Sequence, residues 1–196
     1  MSTTASRLSA SDRREQLLEV AIESFAARGY HNTSMNDVAA AAGVTKPVLY
    51  QHFDSKRALY MALLDEVGKR ITDAVLAATK NSDSGKEQTR VGFVAYFNWA
   101  ANNPREFQLL FGSNDRTDAE FARHRDELEA SLANAIAPLI NAEINSQHQH
   151  TLALGLIALA IGVSHHLIKE GASFNPDEIA DQVFQLAWAG LRSVGR

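Results

Sequence analysis

Apolar residues recur every three to four positions from end to end of this chain, and no segment alternates with a period of two for long enough to make a strand. That periodicity admits helices packed on helices and excludes a sheet, so the expected class is all-α. Cap-like pairs punctuate the pattern: Asp12 with Glu15, Asn103-Pro104 with Glu106, Thr117 with Glu120, and Asn175-Pro176 with Glu178. Reading between them places nine helices at about 12–28, 34–41, 45–52, 55–79, 87–101, 104–111, 118–144, 149–169 and 176–193. Nothing repeats internally.

Composition limits what such a helical chain can do. Its 196 residues are 45% hydrophobic, enough for a packed core and too many for a disordered chain. It has no cysteine, so disulfides, thiolate metal sites and a cysteine nucleophile are unavailable, which suits a reducing cytoplasm. The opening MSTTASRLSAS is polar and lacks the apolar core of a secretory signal, so residues 1–11 read as a flexible tail. Thr151 to Ile168 carries no Lys, Arg, Asp or Glu, but its paired histidines and missing aromatic belt favour a helix buried on nearly all sides in protein over a membrane span. The net charge of −4 is uneven: residues 1–59 hold seven Lys/Arg against six Asp/Glu, and the remainder twelve against seventeen. The N-terminal part therefore tolerates a polyanion better.

The functional signal lies in SMNDVAAAAGVTKPVLYQHF, residues 34–53. Ser34 is placed to cap a short helix containing Val38, Ala39 and Ala42; Gly43 permits a left-handed turn, Val44 plugs the bend, and Thr45 can cap the next helix. Two short helices meeting around a small residue and a glycine form a helix-turn-helix, and Ala39 must be small because the second helix crosses close above it. Leu49 and Phe53, four apart, turn inward, which pushes Lys46, Pro47, Tyr50 and Gln51 outward where a recognition helix meets base edges. Lys46 can donate to guanine or to phosphate, Gln51 can pair with adenine, and Pro47 and Val48 can touch a thymine methyl. Tyr50, His52 and Lys56 suit phosphate oxygens, as does the amide end of the helix capped by Ser34. The competing interpretation is an ordinary helix end and helix start with a solvated outer face; the short helices and inward Leu49 and Phe53 argue against it.

These residues resemble the TetR-like one-component transcription regulators. The resemblance runs from about Arg13 to Leu64, through ARGY at 27–30, SMNDVAAAAGV at 34–44, TKPVLYQHF at 45–53 and SKRALY at 55–60. It implies an all-helical, usually dimeric fold and a DNA-facing set of Ser34, Asn36, Thr45, Lys46, Pro47, Val48, Tyr50, Gln51, His52 and Lys56. The lysine-proline opening and the glutamine before His52 depart from the family's commoner serine-x-glycine and aromatic residue. TKPVLYQHF is also similar to the recognition helix of members that regulate lipid metabolism and sense long acyl chains.

The expected organisation is a tail (1–11), a three-helix DNA-binding head (12–54), a connecting helix (55–80) and an effector-binding and dimerisation body (81–196). In the body, Phe93, Phe97, Trp99, Phe107, Phe111 and Phe121 either line an apolar ligand cavity or form ordinary core. His165 is either a hydrogen-bonded core residue or a ligand contact. Small residues Gly155, Ala158 and Gly162 on one helix, and Ile179, Val183, Leu186 and Gly190 on the next, suit close approach of a partner helix. The resemblance implies that these two helices build a four-helix homodimer interface. No metal-ligand spacing, glycine-rich phosphate loop or nucleophile elbow is present, so no metal, cofactor or catalytic residue is expected. The leading reading is a cytoplasmic repressor that leaves a two-fold symmetric operator on binding a small, largely apolar effector. An effector-dependent activator or co-repressed regulator of lipid metabolism, a helical-bundle enzyme and a protein-binding adaptor are the alternatives.

Overall fold

The computed structural model describes residues 9–112, 118–140, 143–169 and 174–191. Among them are nine α-helices, one 3-10 turn and no strand. The chain divides into two compact units at Leu64 and Asp65.

The first unit opens with α1 (Ala10–Arg28). Its cap is Ser9, whose hydroxyl accepts from Asp12 N at 3.0 Å while the Asp12 carboxylate accepts from Ser9 N, so the expected Asp12–Glu15 cap moves three residues upstream. Leu17, Leu18, Ala21, Ile22 and Phe25 form its buried stripe, and Gly29 closes it at φ 75° with its N–H on Phe25 O. Thr33, buried, donates to Gly29 O and fastens the following turn. Then come α2 (Met35–Ala41) and α3 (Lys46–Tyr50), and α4 (Lys56–Thr79) begins in this unit and continues into the next. The rings of Phe25, Tyr30 and Tyr60 pack together, with centroids 5.1 Å apart for Phe25–Tyr60 and 4.9 Å for Tyr30–Tyr60, which joins the end of α1 to the start of α4.

The second unit contains the rest of α4, then α5 (Gly85–Asn102), α6 (Pro104–Phe111), α7 (Ala119–Ile136), a 3-10 turn (Ala137–Leu139), α8 (Ser146–Lys169) and α9 (Pro176–Leu191). Asp118 caps α7, accepting from Glu120 N and Phe121 N, whereas the expected cap Thr117 lies outside the described residues. The expected helix to residue 144 stops at Ile136 because Pro138 has no N–H to give and its ring crowds the carbonyl a turn earlier. Asn103 occupies the α6 cap position without a side-chain cap bond, its Nδ2 donating instead to Trp99 O at 2.8 Å, while Asn175 Oδ1 accepts from Asp177 N at 3.1 Å to start α9. Arg70 of α4 links to Glu66 on its own helix at 3.0 Å and to Glu106 of α6 at 3.2 Å.

α8 departs most from expectation. It is the one helix among the described residues long and apolar enough to cross a membrane, yet only 22% of that window is buried. Ala153, Ile157, Ala160 and Ser164 form a single inward stripe, with Thr151, Leu154, Gly155, Ala158, Gly162 and His166 exposed on the other side. Burial on nearly all sides is therefore not a property of one chain; the uninterrupted run of small and apolar residues covers only one side with its own core.

Candidate nucleic-acid interface and effector cavity

The bend in the first unit is built as a turn that reverses the chain within a few residues. Ser34 caps α2 through its hydroxyl on Asp37 N at 3.2 Å, and Asp37 returns a bond to Ser34 N at 2.8 Å. The Ser34 hydroxyl and backbone, with Arg28 3.5 Å away, hold the Asp37 carboxyl below the usual carboxylate range. At the other end Gly43 takes φ 65°, letting its N–H reach Ala40 O and Val44 N–H reach Ala39 O. Ala39 and Ala42 are buried, Val44 half-buried. Thr45 sits at the cap of α3 but its hydroxyl makes no cap bond, contrary to the expected role.

Leu49 and Phe53 face the core, and with them fixed, the short helix presents its opposite side outward. Lys46, Pro47, Tyr50 (39% exposed) and Gln51 are exposed, as are Ser34, Asn36 and Thr45; Val48, His52 and Lys56 are half-buried. Lys46 Nζ lies 5.6 Å from the Tyr50 ring centre, and Lys56 Nζ lies 4.3 Å over Tyr30 and 3.4 Å from His31 O. Ser34, Asn36, Lys46, Tyr50 and Lys56 line one polar depression together with His31 and Asn32. The last two carried no signal in the sequence beyond preceding a cap, because a turn's polar residues look alike whether or not they border a ligand surface.

The second unit encloses an apolar cavity of about 600 Å³ of atom-free space including its opening. It lies among α4, α5, α7, the 3-10 turn and α8, with Val75, Gly92, Phe93, Leu132, Ile136 and Ile157 among its walls and Thr79, Gln88, Thr89 and Tyr96 as its polar members. Of the aromatic and histidine candidates, Phe93 lines it. Phe97, Phe107, Phe111 and Phe121 are buried elsewhere in the core, Trp99 and His165 are half-buried, and none of these six is in its wall. The wall is mostly aliphatic. The clearest trace of it in the sequence is Gly92, which leaves space opposite Thr79 and Val75 inside an otherwise bulky helix.

The small-residue face sorts by side. Gly155, Ala158, Gly162, Leu186 (66% exposed) and Gly190 are exposed, Ile179 is half-buried, and Val183 turns into its own core. Leu154, 39% exposed, adds to the apolar outer face of α8.

A helix-turn-helix head followed by an all-helical unit with an apolar cavity is the organisation of a one-component DNA-binding regulator. The chain belongs to the TetR family of bacterial transcription regulators: residues 17–63 match the family model "Bacterial regulatory proteins, tetR family", and residues 92–191 match "Tetracyclin repressor-like, C-terminal domain". The HTH-type transcriptional activator FasR of Mycolicibacterium smegmatis is 30% identical over 96% of this chain and 87% of its own length. A TetR-like regulator from Rhodococcus sp. RHA1, of solved structure, superposes with a TM-score of 0.76 at 27% identity, over 95% of this chain and all of that one. FadR of Bacillus subtilis, solved in complex with stearoyl-CoA, shares the fold with a TM-score of 0.77 at 14% identity, over 88% and 96% of the two chains.

Proposed function

We propose that this protein binds a two-fold symmetric operator as a homodimer in the cytoplasm and leaves it when a small, largely apolar effector carrying an acyl chain enters the cavity of the second unit. The observation that carries the reading is the apolar cavity walled in part by α4, the same helix whose first turns belong to the head. An effector that binds the state unable to hold DNA more tightly must shift α4, and operator DNA must in return weaken the effector. The exposed Lys46, Pro47 and Gln51, with Val48, supply the base-facing contacts. Ser34, Asn36, Thr45, Tyr50, His52 and Lys56 supply phosphate contacts.

FadR of Bacillus subtilis, which shares this fold, was solved in complex with stearoyl-CoA, and this supports an acyl-chain effector here. Dimerisation uses the outer face of α8 and α9, where Gly155, Ala158 and Gly162 allow close helix approach. Mobility shift with the DNA upstream of the protein's own reading frame, at low and moderate salt and with hexadecanoyl-CoA or hexadecanoic acid added, tests the whole scheme. Salt-sensitive binding and release by an acyl compound are expected. Equal effector affinity with and without operator removes the coupling. A second reading, that the DNA-bound dimer activates transcription, is favoured by the activator FasR and is separated by reporter output in a deletion strain.

A further inference from the structure

The turn that joins α1 to α2 is pinned from within and offers two polar side chains outward. The buried Thr33 hydroxyl lies 2.9 Å from Gly29 O and 3.2 Å from Ser24 O, and Asn32 Nδ2 donates to Arg28 O at 3.2 Å. With the backbone fixed by these bonds, the side chains of His31 and Asn32 are exposed. The His31 ring stands edge-on to Tyr30, centroids 5.4 Å apart, and its nitrogens make no hydrogen bond with the described residues. Asn32 uses one amide hydrogen on Arg28 O and keeps the other for solvent or a ligand.

Both residues border the depression that Lys46 and Tyr50 of α3 and Lys56 of α4 also line. Lys56 Nζ, 4.3 Å over the Tyr30 ring and 3.4 Å from His31 O, is held by the same turn. Lys46 and Lys56 bring two positive charges, no carboxylate is among the lining residues, and neither ammonium pairs with a carboxylate among the described residues. Charge of one sign brought from two helices, uncompensated and beside free N–H donors, is complementary to an anion. The open volume of about 360 Å³ admits a phosphodiester group.

We propose that the turn between α1 and α2 is part of the DNA interface: one backbone phosphate enters the depression, where Lys56 neutralises it and the His31 imidazole and Asn32 amide donate to its oxygens. The contact extends the footprint beyond α3 and the starts of α2 and α4. A phosphate is the same in every sequence, so this seat strengthens binding to any duplex and leaves base choice to α3. The turn is already ordered by Thr33 and Asn32, so little backbone freedom is lost when the phosphate arrives.

The test uses the full-length protein, the DNA upstream of its own reading frame and a random-sequence duplex of equal length, with affinity measured over a range of salt concentrations. His31→Ala and Asn32→Ala should each weaken binding to both DNAs by about three- to tenfold, what one hydrogen bond supplies. Lys56→Met should lower the magnitude of the slope of log affinity against log salt by about one; His31→Lys should raise it by about one and tighten both complexes. His148→Lys, the same charge change on α8, should leave the slope as it is. Because His31 is exposed its variants should melt with wild type, and they decide the question if Asn32→Ala, which loses the bond to Arg28 O, fails to fold. Unchanged affinity in His31→Ala together with an unchanged slope in His31→Lys overturns the proposal. So does a loss confined to the upstream DNA, which would make the turn a reader of bases. A wild type that binds neither DNA removes this contact and the DNA-binding reading together.

Discussion

The exposed residues of the bend separate into two energetic kinds. Tyr50 and Lys46 are exposed and lie against each other outside the core, so Tyr50→Ala and Lys46→Ala should each weaken operator binding by about 1–3 kcal/mol while the melting temperature stays near wild type. Fluorescence anisotropy with a labelled operator reads the first, calorimetry the second; a variant with unchanged affinity means that the helix meets DNA by another face. Ser34 is different because it both borders the polar depression and caps α2. Ser34→Ala should therefore lose stability, by roughly 0.5–2 kcal/mol, as well as affinity. Its partner Asp37 sets a pH dependence of known sign: its carboxyl is depressed in the folded head, so its contribution is present above the ordinary carboxylate range and is lost as pH falls through the lower folded value. Thermal melts below about pH 4 should show wild type losing stability faster than Asp37→Asn, which has no such proton to bind.

Among the helices, α5 offers the cleanest test of the cavity. A Cβ at Gly92 would meet Thr79 Cγ2 at 3.6 Å and Val75 Cγ1 at 3.9 Å, ordinary contacts. Gly92→Ala should then stabilise the protein by about 0.5–1 kcal/mol through helix propensity. Gly92→Leu should instead fill the cavity, so that operator binding survives and release by acyl compounds is lost; release that persists in a folded Gly92→Leu protein places the effector elsewhere. The same helix shows what the sequence can and cannot say. The bend from Ser34 to Phe53 was legible because its determinants are local: a cap, a glycine at positive φ, and two inward residues four apart. The cavity was not, since an inward aromatic at helical spacing has the same signature whether it meets another side chain or a void; Phe97 and Phe107 met side chains, and the void fell to aliphatic Leu132, Ile136 and Ile157. Boundaries failed where a competing local rule acted, as at Ser9, which outcompeted Asp12 as a cap, and at Pro138, which ended α7.

For the molecule as a whole, the proposed dimer face on the outer side of α8 and α9 would decide whether one head or two reach DNA. Leu186 is 66% exposed and Leu154 39%, beside glycines and alanines that leave the backbone open to close approach. Isolated, a five-residue recognition helix makes few contacts; two heads on one body gain effective concentration at the second half-site. Leu186→Asp places a charge where an apolar partner is proposed, and because the side chain is exposed the substitution should change the stability of the single chain by no more than about 0.5 kcal/mol. Sedimentation velocity should show the wild type as a dimer and the variant as a monomer at micromolar concentration. Operator affinity should drop by roughly 10²–10⁴-fold, the size of the lost avidity, with the head itself unaltered. A variant that still sediments as a dimer and holds its operator would move the interface off these two helices, and a wild type that sediments as a monomer yet binds tightly would require α3 and its flanking phosphate contacts to carry the affinity alone.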